Sequence, residues 1–486
     1  MFADGSCEAR SRSEEEAMFE HHRRRATQRS PTTPISPKGG GGTAPISLSL
    51  LLPDAQDIAS SSLCELDAVA LATNVTVFME RGTKRRVNRK SKHTLALLFY
   101  CSMVLFSSCG GKTRPPVIAA PTGGPVPTSP PPITVAGQLK QSPQIRVLLK
   151  QNFSSVSVEG SGLASLVVIK AEDGKIHLTN GNGRGLGSGS GFRLQPLDGK
   201  QLKLDGVPYH DVLEVFINPL SRTVVVNELN LESYLRGVVP NELVTDRSRS
   251  EAIKTLTIAA RTYAYSSLGQ NAVRGFDVYS DTRSQVYRGV GSEKPLANQM
   301  IEETRGIIAT YQDKPIVAFY SSTCGGRTED YREVFQRVAI PYLQGGAACP
   351  DTSSPYHSWD ELIPISQIQG RLDRLAGVGK LERLEPIRKS QWGRTVEMRF
   401  VGTQGEKILK GLDIRSALGL RSNWITDFEV HRDASGYIVE IHAQGKGWGH
   451  GVGLCQIGAV ELASRGWNFE RILKHYYKGI EVVRRW

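Results

Sequence analysis

The sequence predicts an α+β fold: one large mixed domain over residues 145–486, β-rich at its start, with a helical/β core after it, preceded by an export signal and a tether. Three observations carry this. Between Ile145 and Val226 short apolar runs alternate with Gly, Asn and Asp turns, the texture of antiparallel strands. From Leu229 onward apolar residues recur at helical spacing. No repeat and no second Pro/Gly-rich linker divides the chain beyond that point. The composition, 39% hydrophobic and 22% charged, excludes a polytopic membrane protein and a wholly disordered chain.

The net charge of +12 is unevenly placed. Residues 1–78 carry 7 basic and 10 acidic side chains, with an acidic run, HHRRR and GGGG but no sustained period. They read as an upstream extension that is not part of the native protein, a cytosolic extension being the alternative. Residues 79–109 carry 7 basic side chains and 1 acidic one. Arg81 to Lys92 supply the basic stretch, and LALLFYCSMVLF (Leu95–Phe106) is an apolar run of 12 residues. That order is a secretory signal, and the run is short of the roughly 20 residues that span a bilayer. FSSCGG resembles the lipobox of bacterial lipoproteins, with Phe106 where Leu is usual and Cys109 as the lipidated residue. An uncleaved anchor helix is the other reading; either way the body is exported, facing periplasm or cell surface. Residues 110–144 are rich in Pro, Gly and Thr and read as a tether off the membrane.

Of seven cysteines, Cys324, Cys349 and Cys455 belong to the exported body. Export permits disulfides, and Cys324 with Cys349 is a candidate pair that leaves Cys455 odd. No CxxC or HExxH spacing occurs, so the spacing predicts no metal and no cofactor.

Along the body, IRVLL, SLVVIKA, KIHLT, FRLQPL, LEVFINPL and RTVVVNEL are the predicted strands. The glycines of Gly181–Gly191 fall on alternate residues, fit neither GxGxxG nor a Walker loop, and predict a hairpin loop. LNLESYLRGVV predicts a short helix, and PNELV a tight connection with Glu242 in it. Ser248 and Glu251 match a capping box opening a second helix. Along it Ala252, Ile253, Leu256, Ala259, Ala260 and Ala264 share a face, and Gly269 ends it. Arg261 inside that helix needs an anionic partner, for which Glu242 is the candidate. PLANQMIEETRG predicts a helix, and GIIATYQDKPIVAFYSS a hairpin turning near Asp313 and Lys314. GKGWGHGVG centres His450 among glycines, before helices from about Gln456 to Arg465 and over FERILKHYY.

Four stretches in order, LNLESYLRGVVPNEL, EAIKTLTIAARTYA, TRGIIATYQDKPIVAFYSSTCGGRTED and GWGHGVGLCQIGA, resemble the SpoIID/LytB family, the stage II sporulation protein D and amidase-enhancer group. The resemblance implies a peptidoglycan lytic transglycosylase whose catalytic glutamate, in a VVPxE motif, is Glu242 here. It aligns Arg261 with the arginine of the AARTYA helix, as a substrate-binding or orienting residue. Tyr320 precedes the turn where some members carry histidine, and Cys455-Gln456 stands where Ser-Gln is common. Some members bind zinc through Cys/His groups nearby; only Cys324 is in place, so no metal is carried over.

The lytic route needs one carboxyl group, in contrast to the usual pair of glycosidases. Glu242 protonates the bridging oxygen, then takes the proton of the C6 hydroxyl as that oxygen closes a 1,6-anhydro ring. Burial has to raise its pKa for this, whereas a tightly paired Arg261 would lower it. The expectation is therefore an Arg261 that touches substrate or orients Glu242 without tight pairing, with a purely structural ion pair as the alternative. Ser321, Ser322, Thr323, His450 and Gln456 are candidates to line the cleft, with turn-stabilising roles open for the serines, Thr323 and His450. Tyr263, Trp448 and Trp467 are candidates for sugar stacking or for the core. The basic body suits an anionic polymer, and the partners expected are glycan strands, a cell-wall amidase and a membrane through the lipid, with no nucleic acid. A glycan-binding enhancer of an N-acetylmuramoyl-L-alanine amidase is the competing function.

Overall fold

The computed structural model describes residues 141–160, 166–196, 201–246 and 249–486. The upstream extension, the signal, Cys109, most of the tether and Ser248 of the expected capping box lie outside the described residues. The chain is α+β, as predicted.

The β-rich part holds two sheets. One has five strands in the order Val278–Tyr279, Gln144–Gln151, Thr223–Asn230, Val212–Ile217 and Gly191–Leu194. The other has six, ordered Gly185–Gly189, Lys175–Asn180, Val167–Glu172, Ser155–Gly160, Leu202–Leu204 and Val207–Tyr209. Alternation makes them: in Lys175–Asn180 only Ile176 and Leu178 are buried, and they join Val158, Ile169, Leu202 and Val215 in one core. The glycine-rich stretch departs from the expected loop. Its turn spans only 181–184, and Gly185–Gly189 pairs with Lys175–Asn180 as an exposed edge strand. The alternate glycines leave the backbone free to follow a strand, so lack of side chains did not prevent pairing.

The helical part follows directly. Asn230 caps α1 (Leu231–Arg236) by accepting from the Glu232 N–H. Next come α2 (Val239–Glu242) and α3 (Ser250–Ser266). Helix α3 is buried on nearly every side, its Ile253, Leu256 and Ala260 belonging to the largest core cluster. Truncating Leu256 to Ala there costs about 2–5 kcal/mol. Its start differs from expectation: Glu251 is engaged by the Phe469 N–H and by Lys254. Helix α4 (Pro295–Glu303) leads into strand Ile307–Tyr311, which pairs with Lys314–Pro315 across the predicted turn and with the C-terminal Glu481–Arg484. Gly306 sits between them with φ +70°, where a Cβ would lie 1.9 Å from the Trp486 carbonyl oxygen. Only glycine fits that approach. Helix α5 (Tyr331–Phe335) follows.

Residues 358–446 belong to the same compact unit as the rest of the body but bury a hydrophobic cluster of their own. They form strands Ser358–Pro364, Leu381–Lys389, Thr395–Gly402, Gly405–Lys410, Ile425–Arg432 and Ile438–Lys446, with helices α6 (Ile365–Leu375) and α7 (Leu412–Leu418). Leu372, Leu381, Met398, Phe400, Ile414 and Ile441 make a separate core. No linker composition announces it, because both connections run directly between ordered elements. The chain then re-enters the helical part with α8 (Gln456–Ser464) and α9 (Phe469–Tyr476). A parallel pairing of Tyr320–Ser321 with Leu454–Cys455 sets the polar 320–327 turn beside the start of α8.

Candidate active site

Glu242 is the last residue of α2, and the chain around it is fixed closely. Asn241 donates to the Gly237 carbonyl (2.7 Å) and to Ser292 Oγ (3.0 Å), tying α2 back to the turn before it and across to the loop after Tyr287. The half-buried Glu242 carboxylate accepts from the Val286 N–H through Oε1 (3.0 Å) and from Gln456 Nε2 through Oε2 (3.3 Å). The Tyr320 hydroxyl donates to it as well. Burial raises its pKa above the ordinary carboxylate range, and these three donors hold back part of that rise. Behind it, the Tyr320 oxygen accepts from Gln285 Nε2 (2.9 Å), and Gln285 Oε1 accepts from the Tyr234 hydroxyl (3.2 Å). Burial and the Glu242 charge push the Tyr320 phenol well up, so it stays a proton-bearing donor. The result is a carboxyl group held in a fixed orientation, which burial makes keep its proton to higher pH than an ordinary carboxyl group.

Arg261 is not part of this group, which corrects the reading that it orients Glu242 and agrees with the alternative of a structural ion pair. It is fully buried on α3, and its Nε and Nη2 donate to the Glu232 carboxylate at 3.0 and 2.7 Å. Its remaining donors reach the carbonyls of Ile301 (3.1 Å) and Ile307 (3.2 Å). Glu232 in turn accepts from Trp486 Nε1 (2.9 Å) and the Gly306 N–H (3.1 Å). The pair locks α1 and α3 to the C-terminal strand. Glu242 therefore escapes the cation that would have lowered its pKa.

The turn residues separate likewise. Gln456 reaches Glu242, as its place among the site candidates requires. Ser321 Oγ accepts from the Gly451 N–H (3.2 Å), and Thr323 Oγ1 bonds Ser354 Oγ (2.8 Å), both buried and both turn-stabilising. Ser322 is half-buried, its carbonyl accepting from the Ile457 N–H at the start of α8 (3.1 Å). His450 packs against the rings of Phe319 and Phe335, and both its ring nitrogens are taken. Nε2 donates to the Tyr320 carbonyl (2.9 Å) and Nδ1 accepts from the Val452 N–H (3.0 Å). Burial, with Arg415 and Arg394 nearby, pulls its pKa down to about 3. A neutral imidazole that positions Tyr320 fits the turn-stabilising reading of His450 rather than the sugar-binding or polarising one. Gly451 beside it has φ +71°, and a Cβ there would lie 2.0 Å from Arg394 Nη2, which is why glycine is needed in this run.

Comparison with known proteins bears on the same segments. The SpoIID (stage II sporulation protein) family matches residues 220–311. Stage II sporulation protein D of Bacillus amyloliquefaciens is 34% identical over 278 residues, covering 53% of this chain and 75% of that protein. The chain belongs to the SpoIID/LytB family. An uncharacterized protein of Brachyspira hyodysenteriae is also 34% identical, over 58% of this chain and 73% of its own. An amidase enhancer of Bacillus subtilis is 30% identical over 51% of this chain but only 40% of its own length. A domain of unknown function, DUF8618, matches residues 342–453, which spans all of the separate core.

Within this SpoIID/LytB chain, sequence reasoning missed Gln285, Val286, Tyr234 and Glu232. The stretch DVYSDTRSQVYRG carries the first two and shows no motif or period. Tyr320 was visible only as a departure from the family's histidine. Of the aromatic candidates, Trp448 is exposed, with Tyr356 against it (ring centroids 4.2 Å) and Arg421 over both rings. Tyr263 packs on Phe319, and Trp467 is covered by Arg471. The cysteines also depart from expectation. All three are free, and Cys324, Cys349 and Cys455 converge with Asp351, so none is odd. No helix among the described residues is long and apolar enough to cross a membrane.

Proposed function

We propose that this chain is an exported peptidoglycan lytic transglycosylase that cleaves the MurNAc–GlcNAc bond, above all in strands stripped of stem peptides. Family membership supports a cell-wall role. The observation that carries the finer reading is Glu242: a carboxyl group raised by burial, and oriented by Val286, Gln456 and Tyr320.

The reaction then runs on one group. Protonated Glu242 gives its proton to the glycosidic oxygen as the C1–O4 bond breaks. The resulting carboxylate takes the proton of the muramic acid C6 hydroxyl as O6 bonds C1, which regenerates the acid without consuming water. Donors from Val286, Gln456 and Tyr320 stabilise the carboxylate between the two transfers. Trp448, with Tyr356 and Arg421, offers a stacking surface for a neighbouring sugar. Attachment to the membrane through Cys109 belongs to the same proposal.

A second reading has its own support, the likeness to an amidase enhancer. There the chain binds glycan and stimulates a cell-wall amidase. The two separate when the chain from Gly110 onward is incubated with intact and stem-peptide-free peptidoglycan, with and without an amidase. Strand scission without amidase supports the transglycosylase. Faster amidase turnover with no scission by the chain itself supports the enhancer and refutes it.

A further inference from the structure

We propose that Cys324, Cys349, Asp351 and Cys455 form a closed, four-coordinate site for a zinc-type divalent cation, which fixes the start of α8 beside Glu242. One ligand atom from each of the four lies within 4.8 Å of every other, and all four residues are buried. They come from three segments: the turn after Thr323, the loop at 349–351 and the residue capping α8. Cys455 Sγ and Asp351 Oδ2 are 3.5 Å apart. Around one tetrahedral ion, a sulfur at about 2.3 Å and an oxygen at about 2.0 Å lie about 3.5 Å apart, and two sulfurs about 3.8 Å. The observed cluster therefore needs only a slight contraction. This set differs from the Cys/His groups implied by the family resemblance.

The surroundings supply donors to the Cys455 sulfur and hold the Asp351 carboxylate in place. Cys455 Sγ accepts from the N–H groups of Cys324 and Gly458, both at 3.3 Å. Asp351 Oδ2 accepts from the Gly325 N–H (2.8 Å), and Oδ1 bonds His357 Nδ1 (2.8 Å). A carboxylate ligand steadied by a histidine is a usual outer-shell arrangement. Three thiolates, one carboxylate and a divalent ion together carry two negative charges. The fully buried Arg394 stands beside them, donating to the Cys324 carbonyl (3.0 Å), with its Nε lacking any acceptor. A disulfide between any two of the cysteines would use only two of the four converging ligand atoms, whereas the cation uses all four. Soft thiolate donors with one oxygen favour zinc over magnesium or calcium.

Binding replaces the three thiol protons, which leave to solvent, with bonds to the ion. No position is left open for water, so the ion's role is structural. Cys455 is followed directly by Gln456, the donor to Glu242, so the site sets where that donor points.

The test uses the full chain purified without oxygen, with metal content read by plasma mass spectrometry and cobalt(II) as the spectroscopic probe. We expect one zinc per chain, and sulfur-to-cobalt charge-transfer absorption with tetrahedral d–d bands after exchange. Replacing His357 by Ala is expected to weaken zinc binding about 10- to 100-fold. Cys349→Ser is expected to abolish stoichiometric binding. Three freely alkylated thiols with no zinc retained after reconstitution would overturn the proposal, as would a disulfide in the isolated chain or full zinc occupancy in Cys349→Ser. None of these readouts depends on peptidoglycan cleavage, so this site and the transglycosylase reading fail separately.

Discussion

Replacing Arg261 by Met removes the centre of a buried network far in function from Glu242. The ion pair it makes with Glu232 has side chains 0% and 3% exposed. In the variant, the Glu232 carboxylate keeps only Trp486 Nε1 and the Gly306 N–H, while the Ile301 and Ile307 carbonyls each lose a donor. Breaking one side of a buried pair costs about 3–5 kcal/mol. A stranded buried carbonyl costs about 1–3 kcal/mol, so the upper end of the first range is expected. Glu232→Leu also loses the pair, and the double variant strands no charge, so it recovers part of the loss. Full recovery is not expected, because Trp486 and Gly306 then lose their acceptor. Urea denaturation of wild type, the single variants and the doubles gives the coupling energies. Arg261 is expected to couple to Glu232 by at least about 2 kcal/mol, and to Glu242 by less than about 0.5 kcal/mol. An Arg261→Met cost below about 1 kcal/mol, or a larger coupling to Glu242, would refute the separation of the two groups.

Glu242→Gln should be more stable than wild type at neutral pH. Burial raises the folded carboxyl above the unfolded value of 4.5, so the folded state holds its proton longer and wild-type stability falls as pH rises through that window; an unchanged pH slope in the Gln variant, read by denaturation, would count against it. His450 has the opposite sense. Its folded value of about 3 lies below 6.5, so the stability present above the unfolded value is lost as pH falls toward about 3, and His450→Gln should flatten that acid-side slope. Tyr320→Phe removes a donor to Glu242 and leaves Gln285 Nε2 short of an acceptor. A tenfold fall in the cleavage rate, about 1.4 kcal/mol, is expected with little change in glycan binding; a rate within a factor of two of wild type would exclude Tyr320 from the site.

Local chemistry in the sequence located much of this. The apolar spacing of Ala252, Leu256 and Ala260 fits the buried helix α3, and VVPNE singles out the carboxylate that the fold half-buries. What stayed hidden is non-local. Arg261 required an anion, and Glu242 was the nearer candidate along the chain, but Glu232 lies on the facing side of α1, where helix packing decides. Cys324 and Cys455 are 131 residues apart, so no spacing motif joins them; a two-residue parallel strand pairing does. Gln285 and Val286 act through an orienting carboxamide and a backbone N–H, and neither leaves a compositional trace. The core of residues 358–446 escaped notice because it is inserted without a linker.

The most direct measurement is the end chemistry of the fragments released from stem-peptide-free glycan by the wild-type chain and by Glu242→Gln, read by mass spectrometry. Fragments one water lighter than hydrolysis products, with 1,6-anhydro ends, are expected from wild type alone. Hydrated reducing ends, or equal cleavage by the Gln variant, would contradict the transglycosylase reading.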